Sequence, residues 1–304
     1  MARHRFPIVI ITLIVFGIFG NSCKNGNNKA SNNKNNEKTD TVQINKGSTL
    51  VKFKDKVFSI PSPMLISKQI KELNLTYDQD LVTPIDNYTK YHTTFKQAAA
   101  LGVYGADLAY LLTYDQLSNV NEYFNIIKNL SEQLSLLNSI TQETLDRIER
   151  NSENKDSLMY ITSSLFRDID SYLSENEQQE LGVIILAAGW IESVYMLTKL
   201  AIETEQSEII NRIGEQKAPL NNLLQLLEPY YGQGNTSLDA LFEKLAVISS
   251  LFESIEQKYE YDMPEIYPEK HYIVINSKTI TNLNNTDLEQ ISAKINDLRT
   301  WLIN

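Results

Sequence analysis

An all-α fold, a single antiparallel bundle of about eight to nine helices with short strands near its two ends, is predicted from three features of this 304-residue chain. The first is composition. With only 11 glycines and 8 prolines, and with Leu, Ile, Glu, Gln and Asn abundant, the sequence favours helices over a strand-rich fold. The second is periodicity, since apolar residues recur at spacings of three and four through most of the chain after Pro63. The third is a pair of segments apolar nearly all the way round, residues 98–112 (AAALGVYGADLAYLL) and 181–197 (LGVIILAAGWIESVYML). Such helices belong at the centre of a bundle.

Residues 1–22 read as a lipoprotein signal peptide: Arg3-His4-Arg5, an apolar run over 6–19, and Gly20-Asn21-Ser22 directly before Cys23. The run makes roughly 21 Å of helix, short of the ~30 Å hydrocarbon core, so it is not read as a stable span. Cys23, the sole cysteine, stands where a bacterial lipobox places its acylated residue, and Ser22 fits the small site before it. Gly20 departs from the large aliphatic residue usual there. The alternative to acylation is a cleaved secretory signal that leaves a free thiol. Palmitate-type chains on Cys23, each gaining about 0.8 kcal/mol per buried methylene, would hold the protein on a bilayer. Residues 23–48, rich in Asn and Lys, carry almost no large apolar side chains and read as a flexible tether. In Bacteroidota-type lipoproteins an acidic cluster after the cysteine tends to mark surface display. The tract here is basic, which favours the periplasmic face of the outer membrane.

The helical domain is placed at 49–304. Residues 51–60 (VKFKDKVFSI) alternate as an extended arm or strand, which Pro61 and Pro63 end. Helices are expected over 64–73, 88–114, 117–136, 142–150, 155–173, 176–204, 205–227, 237–259 and 287–303, with a strand over 271–276. Small residues at Ala98, Gly102, Gly105, Ala106 and Ala109, and at Ala187, Ala188 and Gly189, would let the two apolar helices approach closely. Glu180 and Glu192 leave too few uncharged residues between them for a membrane span.

The sharpest chemical candidates are the carboxylates in those two helices. Asp107 shares a stripe with Tyr104, Leu111 and Tyr114, and Glu192 shares a side with Gly189, Tyr195 and Lys199. If the two met in a dry pocket, desolvation and mutual repulsion would raise at least one pKa and create an acid/base pair, or a site for a cation or amine between tyrosine rings. Tyr104, Asp107, Trp190 and Glu192 are therefore the candidate ligand-binding residues. The plainer and preferred reading has each carboxylate capping or hydrogen-bonding a neighbouring helix, pairing with a lysine, or facing a wet edge. No catalytic residue, cofactor or metal is assigned: His92 and His271 are isolated, and no HExxH occurs. Asp156 and Ser157 read as helix-start residues. The net charge of −10, more negative once Arg3 and Arg5 leave with the leader, opposes nucleic-acid binding.

The strings Leu101-Gly102-Val103-Tyr104-Gly105-Ala106-Asp107-Leu108, Asn154-Lys155-Asp156-Ser157-Leu158 and Gly189-Trp190-Ile191-Glu192 resemble those of an uncharacterised family of helical lipoproteins from Bacteroidota. The resemblance, from about Phe58 to the C-terminus, implies an exported, lipid-anchored helical domain and brings no activity or site residue. The function expected is a lipid-anchored periplasmic binding or interaction protein whose partner is an envelope protein or small molecule. The alternatives are an envelope hydrolase using Asp107 and Glu192, or a structural partner of an outer-membrane assembly. A scaffold should have a filled core and an exposed apolar patch; an enzyme should bring the two carboxylates together in a cavity.

Overall fold

The alternating residues at the start of the domain fold as a hairpin, β1 (Ser48–Phe53) antiparallel to β2 (Lys56–Pro61), with Phe53 opposite Lys56. Phe58 and Ile60 are buried while Ser59 between them is exposed, and the Ser59 carbonyl accepts a 2.9 Å hydrogen bond from the Asn222 side chain. The stretch predicted as one extended arm or strand thus belongs to two strands, because residues up to Phe53 pair antiparallel with those from Lys56 onward. The computed structural model describes residues 48–53, 56–136, 142–270, 272–274 and 277–304. The signal peptide, Cys23 and the tether up to residue 47 lie outside the described residues, as do His271 and residues 275–276 of the second expected strand.

Ten α-helices are present among the described residues. α1 (Pro63–Glu72) starts on the Ser62 hydroxyl, which accepts from Leu65 N–H at 3.2 Å, with Pro63 in the first turn. α2 (Thr94–Thr113) starts later than the periodicity over 88–114 implies. Residues Ile85–Lys90 form a 3-10 turn instead, and the Thr93 hydroxyl caps α2 by accepting from Lys96 N–H. α3 (Leu117–Gln133), α4 (Gln142–Arg150), α5 (Lys155–Glu175) and α6 (Gln179–Thr204) fall within a few residues of their expected bounds. Asn154 caps α5 through Ser157 N–H, which places Asp156 and Ser157 in its first turn as read from the sequence.

Two expected helices are shorter than their patterns. Residues 205–227 form two, α7 (Ser207–Gly214) and α8 (Lys217–Leu227), which raises the count above the eight or nine expected. α9 (Thr236–Glu253) stops before Tyr259, and the rest of that segment becomes β3 (Glu256–Glu260). β3 pairs antiparallel with β6 (Lys278–Asn282), and between them β4 (Glu265–Tyr267) pairs with β5 (Tyr272–Val274), giving one hairpin nested within another. β5 lies inside the strand expected near the C-terminus. α10 (Asn285–Ile303) closes the chain.

α2 and α6 form the centre. α6 is long and apolar enough to cross a membrane, but 83% of its most apolar window is buried by the fold. α2 lies against it, with α1, α3, α5 and α10 around the pair. Backbone proximity explains the small residues: a Cβ on Gly102 would meet the Ile185 carbonyl oxygen and stand 2.9 Å from Ala188 Cβ, while Gly189 faces the Gly102 carbonyl.

Candidate functional site

Two tyrosines of α2 and a third at its C-cap, Tyr114, pin the segment that precedes the helix. Tyr114 donates its hydroxyl to the Leu75 carbonyl at 3.0 Å, Tyr110 accepts from Asp78 N–H at 3.1 Å, and Tyr104 donates to the Pro84 carbonyl at 2.8 Å. This is the usual use of tyrosine at a core boundary, an apolar body with a polar tip that finds a backbone partner. The pinned segment carries Thr83 into the core, where it is fully buried between the turns Gln79–Leu81 and Ile85–Lys90.

Thr83 is the hub of a buried polar cluster. Its N–H donates to Asp107 Oδ2 at 3.0 Å, its carbonyl accepts from the Tyr123 hydroxyl at 2.7 Å, and its own hydroxyl accepts from Arg299 Nη2 at 3.0 Å. Arg299, from α10, grips Glu192 of α6 with two parallel bonds, Nε to Oε2 at 2.6 Å and Nη2 to Oε1 at 2.8 Å. Its guanidinium carbon also lies 4.1 Å from the Tyr195 ring centroid. Asp107 and Glu192 are both 0% exposed. Loop, α2, α3, α6 and α10 thus meet through one network of side chains and the Thr83 backbone.

Burial, and secondarily the Glu192 charge, push the Asp107 carboxyl well above the usual carboxylate range, against the pull of Arg299 and the Thr83 bonds. Asp107 accordingly favours the neutral acid. Burial raises Glu192 as well, opposed by the Arg299 guanidinium. Burial alone would lower Arg299, but the Glu192 charge and hydrogen bonds reverse that and raise it. The directions favour a single negative charge on the two carboxyls, held by Glu192 against the Arg299 guanidinium. Asp107 Oδ1 and the hydroxyl of buried Tyr91 have no hydrogen-bond partner among the described residues. Burial pushes Tyr91 up to about 12.

Of the four candidate residues, Tyr104, Asp107 and Glu192 come to this cluster and Trp190 does not. Trp190 is two residues from Glu192 and so leaves the opposite side of α6, where its indole donates to Gln216 Oε1 at 3.1 Å. The carboxylates converge, as acid/base chemistry would require, but they converge on an internal cation and without solvent exposure. The arrangement suits a clamp between elements. Sequence reasoning passed over Arg299 and Thr83. Arg299 had a legible signal, because it falls on the stripe of buried positions Leu288, Ile291, Ile295 and Leu302 in α10, where a cation requires a buried acid. Thr83 sits in irregular backbone with no periodicity to mark it.

Compared with family models, curated proteins and solved structures, the chain matches none. Elsewhere on the molecule, an open hollow of about 300 Å³ is lined by Lys68, Lys71, Glu72, Thr113, Lys155 and Met159. Two of its three lysines already serve Asp115, which accepts from Lys71 at 3.2 Å and Lys155 at 2.9 Å. Among the described residues no three His, Cys, Asp or Glu side chains gather as a metal site.

The nested hairpins offer a different kind of feature. Tyr259, Tyr261, Met263, Ile266 and Ile280 are all exposed, Met263 to 74%. They make up five of the nine exposed large hydrophobic side chains among the described residues, concentrated in one short segment. Such a concentration marks a contact surface more often than chance.

Proposed function

We propose that the protein is a lipid-anchored interaction module of the cell envelope, non-catalytic, held by acylated Cys23 on the periplasmic face of the outer membrane. In this reading the helical body is a rigid mount and the hairpin arm, residues 256–282, is the surface offered to another envelope protein. The observation that carries it is the contrast between a charge cluster closed on itself and an arm whose apolar side chains face outward. The basic start, short apolar run and placement of Cys23 support the anchor, and the resemblance to helical lipoproteins of Bacteroidota agrees with it. Hydrolysis by Asp107 and Glu192 would need water and substrate to displace Arg299 from a fully buried acid.

Native mass spectrometry of the protein released gently from its own envelope membranes tests this reading. The wild type should leave with a second polypeptide, and a variant carrying Tyr261→Ser, Met263→Ser and Ile266→Ser should stay folded and membrane-held but come away without it. Cys23→Ser should move the protein to the soluble fraction. A bound small molecule retained by the arm variant, or membrane retention of Cys23→Ser, would overturn the corresponding half of the proposal.

A further inference from the structure

β3 has one occupied edge and one open edge, and the hydrogen bonding says which backbone groups point outward. On the far side of β6, Thr281 N–H donates to the Asn211 side chain of α7 at 3.0 Å, so it points away from β3. In an antiparallel ladder the opposed pairs alternate between those that exchange hydrogen bonds and those that do not. Gln257, opposite Thr281, therefore belongs to a pair that does not, and its own N–H and C=O point away from β6. Tyr259, two residues on and opposite Thr279, presents its N–H and C=O the same way. Neither residue's backbone has a partner on that side among the described residues, and Glu256, Gln257, Lys258 and Tyr259 are all exposed.

Open edges invite another strand, and charges decide which one they accept. Along β3, Glu256, Lys258 and Glu260 share one face, Gln257 and Tyr259 the other. Three two-fold antiparallel registers of β3 on a second β3 keep the outward groups facing each other. Centred on Lys258, the pairing sets lysine against lysine and Glu256 against Glu260 twice, all like charges. Centred on Gln257, it brings Ser254 and buried Ile255, at the end of α9, against the partner strand, where the helix obstructs it. Centred on Tyr259, it places Lys258 opposite Glu260 of the second copy and Glu260 opposite its Lys258. Within one chain these two side chains already lie 3.1 Å apart, so the four would form a ring of alternating charge. The two Tyr259 backbones would exchange N–H to C=O bonds at the axis, with the rings side by side on the other face. Only Glu256 against Asp262, at the fraying ends, is a like-charge pair.

We propose that β3 pairs with β3 of a second copy of this chain, antiparallel about Tyr259, to make a continuous four-stranded sheet in the order β6, β3, β3, β6. The partner is specified by β3 itself, because like charges oppose the Lys258-centred register, the end of α9 obstructs the Gln257-centred one, and the Tyr259-centred one pairs opposite charges. The proposal deepens the interaction-module reading and rests on it, but the two fail separately.

Sedimentation velocity of the full-length chain in density-matched detergent, from micromolar to near-millimolar concentration, tests it. The wild type should show concentration-dependent dimers. Tyr259→Pro removes an outward N–H and leaves the bonds to β6 intact; by symmetry two hydrogen bonds are lost, and dimerisation should weaken about tenfold or more. Lys258→Glu or Glu260→Lys alone should weaken it too, and the two together, with charges exchanged, should restore it. Circular dichroism should be the same for every variant. A monomeric wild type across the range overturns the proposal, as does a dimer indifferent to Tyr259→Pro, or one not restored by the charge exchange. A monomer that still leaves the membrane with a different envelope protein would remove self-pairing and retain the interaction module.

Discussion

Asp107 concentrates the energetics of the molecule at the scale of one residue. Its carboxyl is fully buried, bonded by Thr83 on one oxygen, and flanked by Glu192, Arg299 and the tyrosines at 91, 104 and 123. Because the folded-state pKa lies above the unfolded value, its contribution to stability is fully present below the unfolded pKa and is lost as pH rises through the folded one. The wild type should therefore lose stability progressively as pH rises above the ordinary carboxylate range of about 4, and Asp107→Asn, which cannot ionise, should lose less over the same rise in a denaturant series. A wild type and variant with parallel pH profiles would show that Asp107 is already ionised in the fold. The sequence marked Asp107 and Glu192 because charges inside all-round apolar helices must find a partner. It did not mark the partner, since Arg299 lies more than a hundred positions from Glu192 and only the packing of α10 on α6 brings them together.

At the scale of the elements, α2 and α6 were legible because length, apolarity and small residues all pointed the same way. Gly102 carries the packing: a side chain there would strike the Ile185 carbonyl, which belongs to the backbone of α6 and cannot rotate aside. Alanine would gain about 1 kcal/mol in helix propensity, but overpacking against backbone costs about 1–3 kcal/mol, so Gly102→Ala should be net destabilising in a thermal melt. A variant more stable than the wild type would mean that the helices separate more readily than their contact implies. The elements misread were those set by distant partners or by local caps. Residues 256–259 have a helical continuation in sequence, yet β6, some twenty positions later, takes them as a strand. The start of α2 was displaced by the Thr93 cap and the 3-10 turn before it, which apolar periodicity does not register.

Across the whole molecule, the all-α class followed from composition and periodicity, while the nested hairpins near the C-terminus emerged as one exposed arm only when the pairings were seen. The candidate site was half legible: three of its four residues meet, and their meeting turns out to lock α10, the loop at Thr83 and the central helices into one body. That closure moves the functional surface outward. The most direct measurement is a double-mutant cycle on the clamp, following denaturant unfolding of Glu192→Met, Arg299→Met and the two combined. If the pair is a structural clamp, Arg299→Met alone, which leaves a buried carboxylate uncompensated, should cost about 3–5 kcal/mol, and the double variant should recover most of it. Losses that simply add, or an Arg299→Met protein as stable as the wild type, would contradict the clamp and return the carboxylate pair to chemistry.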